Sequence, residues 1–292
     1  MSFQDALTRC AAETDVILDT LLSPDASPSR RLVEAMRYAA LGQGKRLRPF
    51  LVVESAALFG VPRSRSIRVG AALECVHCYS LVHDDLPAMD DDDLRRGKPT
   101  LHKAFDEAAA ILAGDGLLTF AFEILAGEAT HPDPQVRLAL ISGLARASGL
   151  AGMVGGQMLD IEAESGIDST LSGITLIQSL KTGALFKYAC EAGAILGEAD
   201  PAPLRQYAEA IGLAFQIADD ILDVESTPEA LGKATQKDSG RGKATFVDLL
   251  GLASARAQAA ILMEKAIASL TTYGERATTL KQAAEFMVQR RS

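Results

Sequence analysis

The sequence predicts an all-α protein. Ala and Leu are abundant among the 292 residues while aromatic residues make up only 5%, so residues that favour helices dominate. Apolar residues also recur at helical spacing, as Leu32, Met36 and Ala39 do in "RRLVEAMRYAALGQG". No long stretch alternates with the period of two that a half-buried strand shows. We therefore expect one all-α domain over residues 1–292.

Short stretches with Gly or Pro divide the chain into predicted helices. These helices cover residues 3–22, 29–41, 47–60, 64–85, 106–128, 134–150, 153–164, 170–181, 184–197, 201–225, 245–270 and 275–290. The segment "DEAAAILAGDGLLTFAFEILAGE" is apolar on nearly every side, which suits the centre of a bundle or a subunit interface. A homodimer is the expected assembly.

Charge and composition exclude several classes of protein. The net charge of -9 argues against a nucleic-acid partner, because binding to phosphate backbones needs a basic face. The first residues lack the pattern of a signal peptide, and no uncharged stretch reaches the roughly 18 residues of a membrane helix. Cys75 and Cys78 lie in an apolar helix without a second pair, so we interpret them as buried thiols. We expect a cytoplasmic protein with no membrane span.

A first acidic cluster lies in "SLVHDDLPAMDDDDLRRGKPT", residues 80–100. Pro87 disfavours helical geometry at the residue before it, so the preceding helix should end there. Asp84 and Asp90 are six residues apart and would point to different sides of a continuous helix. A break at Pro87 allows Asp90 to return beside Asp84.

A second acidic cluster lies in "FQIADDILDVE", where Asp219 and Asp223 are one helical turn apart. Carboxylates at this spacing repel each other unless something neutralises them. A solvated acidic face is the simpler alternative for either cluster, but here the neighbours Phe215 and Ile217 are apolar. Mg²⁺ or Mn²⁺ suits such oxygen ligands, and Mg²⁺ usually combines one or two protein carboxylates with substrate phosphates. The two clusters therefore indicate metal ions that bind a polyphosphate.

Basic residues that would suit such an anion occur in four places. They are Lys45, Arg46 and Arg48; Arg95 and Arg96; Lys181; and Lys233, Lys237, Arg241 and Lys243. Any one of them is more commonly an ordinary surface charge, but adjacent arginines beside four aspartates suit bidentate phosphate binding. The sequence contains no P-loop, no HExxH and no GxSxG motif.

These motifs give the chain a resemblance to the short-chain trans-prenyl diphosphate synthases, and among them to the bacterial farnesyl diphosphate synthases. "LVHDDLPAMDDDDLRRGKPT" resembles the first aspartate-rich motif of the family, and "FQIADDILD" resembles the second. "GKRLRP", "DEAAAILAGDGLL", "GMVGGQMLD", "LKTGALF" and "LGKATQKD" follow the order of the family. The chain departs from the family at Phe246 and Val247, where Tyr-Pro is common.

The resemblance implies an isoprenoid-synthase-like helical bundle around a deep central cavity, working as a homodimer. It implies head-to-tail condensation of isopentenyl diphosphate with dimethylallyl and then geranyl diphosphate, giving farnesyl diphosphate and pyrophosphate. It further implies three Mg²⁺ ions per site, which Mn²⁺ can replace.

The resemblance also assigns roles to individual residues. The implied metal ligands are Asp84, Asp90 and Asp219, supported by Asp85, Asp220 and Asp223. The implied allylic diphosphate site is Arg95, Lys181 and Lys233, and the implied isopentenyl diphosphate site is Lys45, Arg48, His77 and Arg96. Thr182 and Gln216 lie where the family stabilises the developing carbocation.

Product length is predicted from Tyr79 and Ser80, which precede Asp84 by a little over one helical turn. A bulky Tyr79 would act as a floor against the growing chain, and in the family an aromatic residue there accompanies a C15 product. The alternatives are a C20 or C10 synthase, a class I terpene cyclase and a non-catalytic partner subunit. The basic motifs together with "DDILD" argue against the last two.

Overall fold

The computed structural model describes residues 2–25, 27–42, 44–163, 170–225 and 245–289, and helices make up most of them. The α-helices are α1 (Phe3–Leu21), α2 (Arg30–Ala40), α3 (Leu47–Ala57), α4 (Arg63–Asp84), α5 (Leu101–Ala104), α6 (Glu107–Ala126), α7 (Pro134–Ser148), α8 (Met153–Ala163), α9 (Leu171–Gln178), α10 (Ala184–Leu196), α11 (Ala202–Glu225), α12 (Phe246–Leu250), α13 (Leu252–Ser269) and α14 (Thr278–Gln289). A π-helical segment covers Ser179–Gly183 and a 3-10 helix covers Thr271–Ala277. The all-α prediction is confirmed.

The chain forms two compact units, Met1–Ile141 and Ser142–Ser292. The sequence predicts a single domain, and this stays a prediction.

In the first unit, α4 packs against α3 and α6. Gly70 allows the close contact with α3, because a Cβ atom there would lie 3.1 Å from Pro49. Many side chains of α4 are themselves buried, including Leu73, Cys75 and Val76. Asp106 caps the start of α6 by accepting a 2.7 Å hydrogen bond from the backbone N–H of Ala109. This buried frame holds α4 in place, and the helix ends at Asp84.

In the second unit, α11 packs against α13 and α10. Ile217 and Ile221 of α11 share a buried cluster with Phe246. The α9 helix, the π-helical segment and α10 follow one another without a break from Leu171 to Leu196. The sequence predicts a break in the helix between residues 181 and 184. This prediction is wrong, because the helix continues through these residues as a π-helical turn.

The predicted helix 245–270 is interrupted at Gly251, whose positive φ of 77° ends α12 before α13 begins. Thr245 caps α12 in a capping box with Asp248. Phe246 is buried in the cluster on α11. The Phe246–Val247 pair thus starts a capped helix without the Tyr-Pro of the family.

A short hairpin of β1 (Leu94–Arg95) and β2 (Lys98–Pro99), with Leu94 opposite Pro99, was not predicted from the sequence, and neither was the short helix α5 that follows it. Its turn residues Arg96 and Gly97 both have positive φ, as in a type I′ turn. The hairpin is too short for an alternating pattern of side chains to show in the sequence.

The four cysteines are free thiols and all are buried, and burial raises the pKa of Cys10 and of Cys78 to about 12. Two helical stretches, Glu107–Ala126 and Pro134–Ala163, are long and apolar enough to cross a membrane by length and composition alone. Such stretches also occur in the cores of soluble proteins, so the expected absence of a membrane span stays a prediction.

Candidate functional site

The first acidic cluster begins at the end of α4. The backbone N–H of Asp90 donates a 2.8 Å hydrogen bond to the carbonyl oxygen of Asp84. Pro87 lies in the turn between them, and both aspartates are half-buried. The break in the helix therefore brings the two aspartates together, which is the arrangement that the sequence predicts.

Asp85, the residue after α4, is 3% exposed and holds Arg95 of the hairpin. The Arg95 Nε lies 2.8 and 2.9 Å from the two carboxylate oxygens of Asp85, and Nη2 lies 2.5 Å from Oδ1. Burial alone would lower the pKa of Arg95, but the hydrogen bond and the charge of Asp85 raise it overall. Arg95 is therefore a fixed cation, and its remaining N–H groups can serve an anion.

Aspartates 91 to 93 do not form one group. Asp93 makes a 2.9 Å ion pair with Lys103, and Asp92 lies 4.0 Å from Nη2 of Arg95. Asp91 has a positive φ of 50°, and its N–H donates a 3.1 Å hydrogen bond to Leu86. These three residues shape the loop between α4 and the hairpin.

Arg96, at the turn of the hairpin, lies against the loop between α2 and α3. A Cβ atom on Gly44 would be 2.5 Å from Nη1 of Arg96, so the absence of a side chain at Gly44 makes room for the guanidinium. Lys45, the next residue, is exposed. The hairpin thus places Arg96 beside "GKRLRP", which is far from it in the sequence.

His77 of α4 lies among these cations. Its pKa is lowered well below the usual 6.5, first by burial and then by Arg48, Arg96 and Arg95 in that order. His77 is consequently neutral at neutral pH. Three of the predicted phosphate-binding arginines therefore act electrostatically on one histidine, in a chain whose overall charge is negative.

Arg46 differs from its neighbours Lys45 and Arg48. Its guanidinium lies 2.7 Å from Glu74 and 2.8 Å from Asp15, and it donates to the carbonyl oxygens of Ala40 and Gly42 at 2.6 and 2.9 Å. The arginine and Glu74 are both buried. From the sequence, Arg46 was one of the candidate phosphate ligands. In the structure its guanidinium instead binds Glu74 and backbone carbonyl oxygens inside the protein.

Tyr79, the predicted floor, is buried, and its ring contacts His83 edge to face with ring centroids 5.8 Å apart. Burial, and secondarily Asp84, raises the pKa of Tyr79 to about 12. His83 Nε2 lies 3.1 Å from the carbonyl oxygen of Ile111, and a Cβ atom on Gly114 would be 2.0 Å from the same nitrogen. Ser80 hydrogen-bonds to the carbonyl oxygen of His77 at 2.9 Å.

Gly114 thus makes room for His83, and His83 packs against the ring of Tyr79. Neither residue was predicted from the sequence. The glycine in the middle of the apolar α6 is the signal that indicates a close contact there.

In the second unit, Lys181 lies in the π-helical segment and makes a 2.6 Å ion pair with Asp160 of α8. Asp160 is 7% exposed and is the acid of "GMVGGQMLD". The motif resembles one in the family, but the sequence alone gives its aspartate no role. The acid that ends the otherwise uncharged motif "GMVGGQMLD" is the signal that could have identified it.

Thr182 and Gln216 are in contact, since Gln216 Nε2 donates a 3.2 Å hydrogen bond to Thr182 Oγ1. Gly156 of α8 permits this arrangement, because a Cβ atom there would lie 2.2 Å from the backbone nitrogen of Lys181. Single turns of π-helix inside α-helices are frequently found at functional sites. Three predicted residues from two distant motifs are therefore held in one place.

The second acidic cluster lies on the last turns of α11. Asp219 is exposed and Asp223 is half-buried. Asp220 accepts a 2.7 Å hydrogen bond from the backbone N–H of Phe246, so it also holds the start of α12. Lys233, with Lys237, Arg241 and Lys243, lies outside the described residues.

Among the described residues, no group of three or more His, Cys, Asp or Glu side chains forms a ready-made metal site. Mg²⁺ usually binds through one or two protein carboxylates together with water and substrate phosphates. The pair of Asp84 and Asp90 and the pair of Asp219 and Asp223 each offer that number of carboxylates. The donors therefore fit a Mg²⁺ ion that binds together with a phosphate-bearing substrate.

Comparison with known proteins identifies the family. The sequence profile named polyprenyl synthetase matches residues 29–286. The chain belongs to the polyprenyl synthetase family. It is 46% identical to the farnesyl diphosphate synthase of Escherichia coli, over 99% of each chain. It is 39% identical to a geranylgeranyl diphosphate synthase of Cyanophora paradoxa, over 97% of this chain and 96% of the other.

A crystal structure of an FPP/GFPP synthase from Zymomonas mobilis matches with a TM-score of 0.89 and 51% identity, over 98% of both chains. The resemblance inferred from the motifs is confirmed by these similarities. The all-α fold class that it implies is confirmed as well.

Proposed function

We propose that the protein condenses isopentenyl diphosphate with dimethylallyl diphosphate and then with geranyl diphosphate to give farnesyl diphosphate. The observation that carries this proposal is the 46% identity to the farnesyl diphosphate synthase of Escherichia coli over 99% of both chains. The grouping of Arg48, Arg95 and Arg96 around His77 supports it, because a chain with net charge -9 needs a local basic site for anionic substrates.

Asp84, Asp90 and Asp219 would hold Mg²⁺, three ions per site, and Mn²⁺ would serve in their place. When bound, the metal supplies positive charge that stabilises the departing pyrophosphate. Asp85 supports this group through Arg95, and Asp223 supports Asp219 from the next helical turn.

Arg95 and Lys181, with Lys233, bind the allylic diphosphate in this proposal. Asp85 and Asp160 hold the first two of these cations before substrate arrives. Cations that are already oriented do not have to reorganise as charge develops on the leaving group, which is the main source of electrostatic catalysis. Each carboxylate therefore positions its cation for the ionisation of the allylic carbon–oxygen bond.

Lys45, Arg48, His77 and Arg96 bind the diphosphate of isopentenyl diphosphate. Arg96 lies against Gly44, one residue from Lys45, and His77 is near both arginines. Because His77 is neutral, one ring nitrogen carries a proton that it can donate to a phosphate oxygen. The diphosphate would then be held by three cations and one neutral donor.

Thr182 and Gln216 stabilise the allylic cation. Gln216 donates its N–H to Thr182, so its carbonyl oxygen remains an acceptor with a partial negative charge. That oxygen can face a cation without acting as a nucleophile. No histidine or carboxylate is assigned as the base, and the departing pyrophosphate takes the proton that the new cation loses.

The structural features near Tyr79 support a C15 product. The ring is buried and is fixed by His83, so a growing chain that reaches it meets a rigid surface.

We also propose that the protein acts in the cytoplasm as a homodimer. Exposed Ile111 and Leu112 on α6 are available to a second copy of the chain.

Incubation with isopentenyl and dimethylallyl diphosphates and Mg²⁺, followed by chromatography of the dephosphorylated alcohols, tests the proposal. A C15 alcohol is expected. A C20 or C10 alcohol would assign a different chain length, a cyclic hydrocarbon would indicate a cyclase, and no elongation would indicate a non-catalytic subunit. Asp84→Ala and Asp219→Ala should each lower turnover by orders of magnitude with helical content unchanged; loss of helical content would instead make these aspartates structural.

A further inference from the structure

The second unit contains a cavity of about 640 Å³ between α7, the π-helical segment, α10 and α11. Its volume is within the range of roughly 300–1,000 Å³ that small-molecule sites occupy. None of its lining residues belongs to the groups that the proposed function assigns to substrate or metal. The cavity therefore requires a separate account.

The charges around this cavity are unbalanced. Lys187 lies 3.6 Å from Glu209, and Arg205 is paired with Glu191, so two of the three cations are matched. The third cation, Arg146, is exposed and makes no ion pair with any residue in the described part of the chain. The cavity thus has one positive charge that an anionic ligand can match.

Tyr188 contributes a second polar group to the same wall. The side chain is 1% exposed, and its hydroxyl makes no hydrogen bond within the described ranges of the chain. Burial raises the pKa of Tyr188, so the hydroxyl keeps its proton and is a donor. A buried donor without an acceptor is destabilising, and an acceptor on a ligand would remove that penalty.

The contact between Tyr188 and Gly143 shows where Tyr188 lies relative to Arg146. A Cβ atom on Gly143 would be 3.1 Å from the tyrosine ring, so the ring packs directly against α7 at this glycine. Arg146 follows Gly143 by three residues and lies on the same face of α7, about one turn away. The tyrosine ring and Arg146 therefore adjoin the same stretch of α7.

Apart from the hydroxyl side chains of Thr175 and Ser179, small and aliphatic residues form the rest of the wall, including Ala147, Ala151, Leu180 and Leu213. Among the described residues that line the cavity, Tyr188 is the one with an aromatic ring. Such a surface suits a saturated hydrocarbon chain better than a flat aromatic ligand. We propose that the cavity is a regulatory site for an aliphatic carboxylate, with the carboxylate on Arg146 and Tyr188 and the chain along the aliphatic wall.

The wall also connects this cavity to catalytic candidates. Leu180 and Gly183 line the cavity and flank Lys181 and Thr182 in the π-helical segment. Leu213 is one turn before Gln216 on α11. A chain that packs against Leu180 and Leu213 would change the orientation of these groups and hence the turnover rate. This part of the inference rests on the proposed function, whereas the binding site does not.

Calorimetric titration of the full chain with dodecanoate tests the site. We expect one site per chain and about tenfold or greater loss of affinity in Arg146→Gln and in Tyr188→Phe, as removal of a charge-assisted or buried hydrogen bond implies. Tyr188→Phe should keep or raise the thermal stability because it removes an unmatched hydroxyl. Lys265→Gln, an exposed cation that does not line the cavity, should bind as the parent does.

Three binding results would overturn the proposal: equal affinity in the parent, Arg146→Gln and Tyr188→Phe; equal affinity for dodecanol; or displacement of dodecanoate by geranyl diphosphate. For the link to catalysis, we expect dodecanoate to lower kcat in the parent and not in Arg146→Gln. An unchanged kcat at saturating dodecanoate would refute that link. If the parent shows no elongation at all, the proposed function fails, and the calorimetric result still decides the site.

Discussion

Replacement by methionine should have different effects at two adjacent cations of "GKRLRP", on stability at Arg46 and on substrate binding at Lys45. The side chain of Arg46 is 1% exposed and that of its partner Glu74 is 3% exposed, at a distance of 2.7 Å. Lys45 is exposed. Arg46→Met should therefore reduce stability, whereas Lys45→Met should reduce binding of isopentenyl diphosphate.

The expected loss of stability in Arg46→Met comes from the groups that the substitution leaves without a partner. Removing one partner of a buried ion pair costs about 3–5 kcal/mol, because the other charge stays buried without compensation. The carbonyl oxygens of Ala40 and Gly42 lose a donor as well. A folded domain is stable by only about 5–15 kcal/mol, so this loss is a large share of the total. Lys45→Met should change the free energy of unfolding by about 0.5 kcal/mol or less.

Equilibrium urea unfolding followed by circular dichroism measures the first effect, and steady-state kinetics with isopentenyl diphosphate measures the second. In the double variant Arg46→Met and Glu74→Leu, much of the lost stability should return, since no buried unpaired charge remains and the side chain of Asp15, the other partner of Arg46, is exposed to solvent. The reasoning is refuted if Arg46→Met unfolds within about 1 kcal/mol of the parent while the KM for isopentenyl diphosphate rises.

Three further predictions concern the site. Gly156→Ala should lower stability by about 1–3 kcal/mol and kcat by about 100-fold, because its Cβ would lie 2.2 Å from the Lys181 backbone. The matched control is Gly183→Ala, because a Cβ atom there would meet no atom closer than 3.5 Å. Equal effects of the two substitutions would contradict this prediction. Tyr79→Ala should move the main product from C15 to C20 or longer, and a C15 product alone would place the floor elsewhere. His77 has a lowered pKa in the folded state, so the unfolded state takes up its proton first and stability should fall as pH drops below about 6.5. An unchanged pH dependence in His77→Gln would disprove that assignment.

The local features of the site were predictable from the sequence. The end of α4 follows from Pro87, and the alignment of Asp219 with Asp223 follows from helical spacing. These features depend on residues within about two turns of one another. The backbone therefore determines them before any tertiary contact forms.

The partners of the site residues were not predictable in the same way. Asp160 reaches Lys181 across 21 residues, and Arg46 reaches Glu74 across 28. Such pairs depend on how helices pack, and no short motif records that packing. The same limit explains why three cations of similar appearance in "GKRLRP" have different surroundings.

The hairpin shows a further limit. Its strands have two residues each, and the turn uses Arg96 where glycine or asparagine is the common choice. The sequence predicted that Arg95 and Arg96 bind phosphate, but it did not predict the hairpin on which they lie. Glycines gave the clearest signal of close contacts, since Gly44, Gly114 and Gly156 each make room for a site residue.

The stoichiometry of the reaction tests the central claim most directly. Dimethylallyl diphosphate, excess isopentenyl diphosphate and Mg²⁺ are incubated with the protein, and pyrophosphate release is measured together with the chain length of the product. The account predicts a linear C15 diphosphate and two pyrophosphate molecules per product molecule. Pyrophosphate release without consumption of isopentenyl diphosphate, or no release under conditions in which a known farnesyl diphosphate synthase is active, would contradict it.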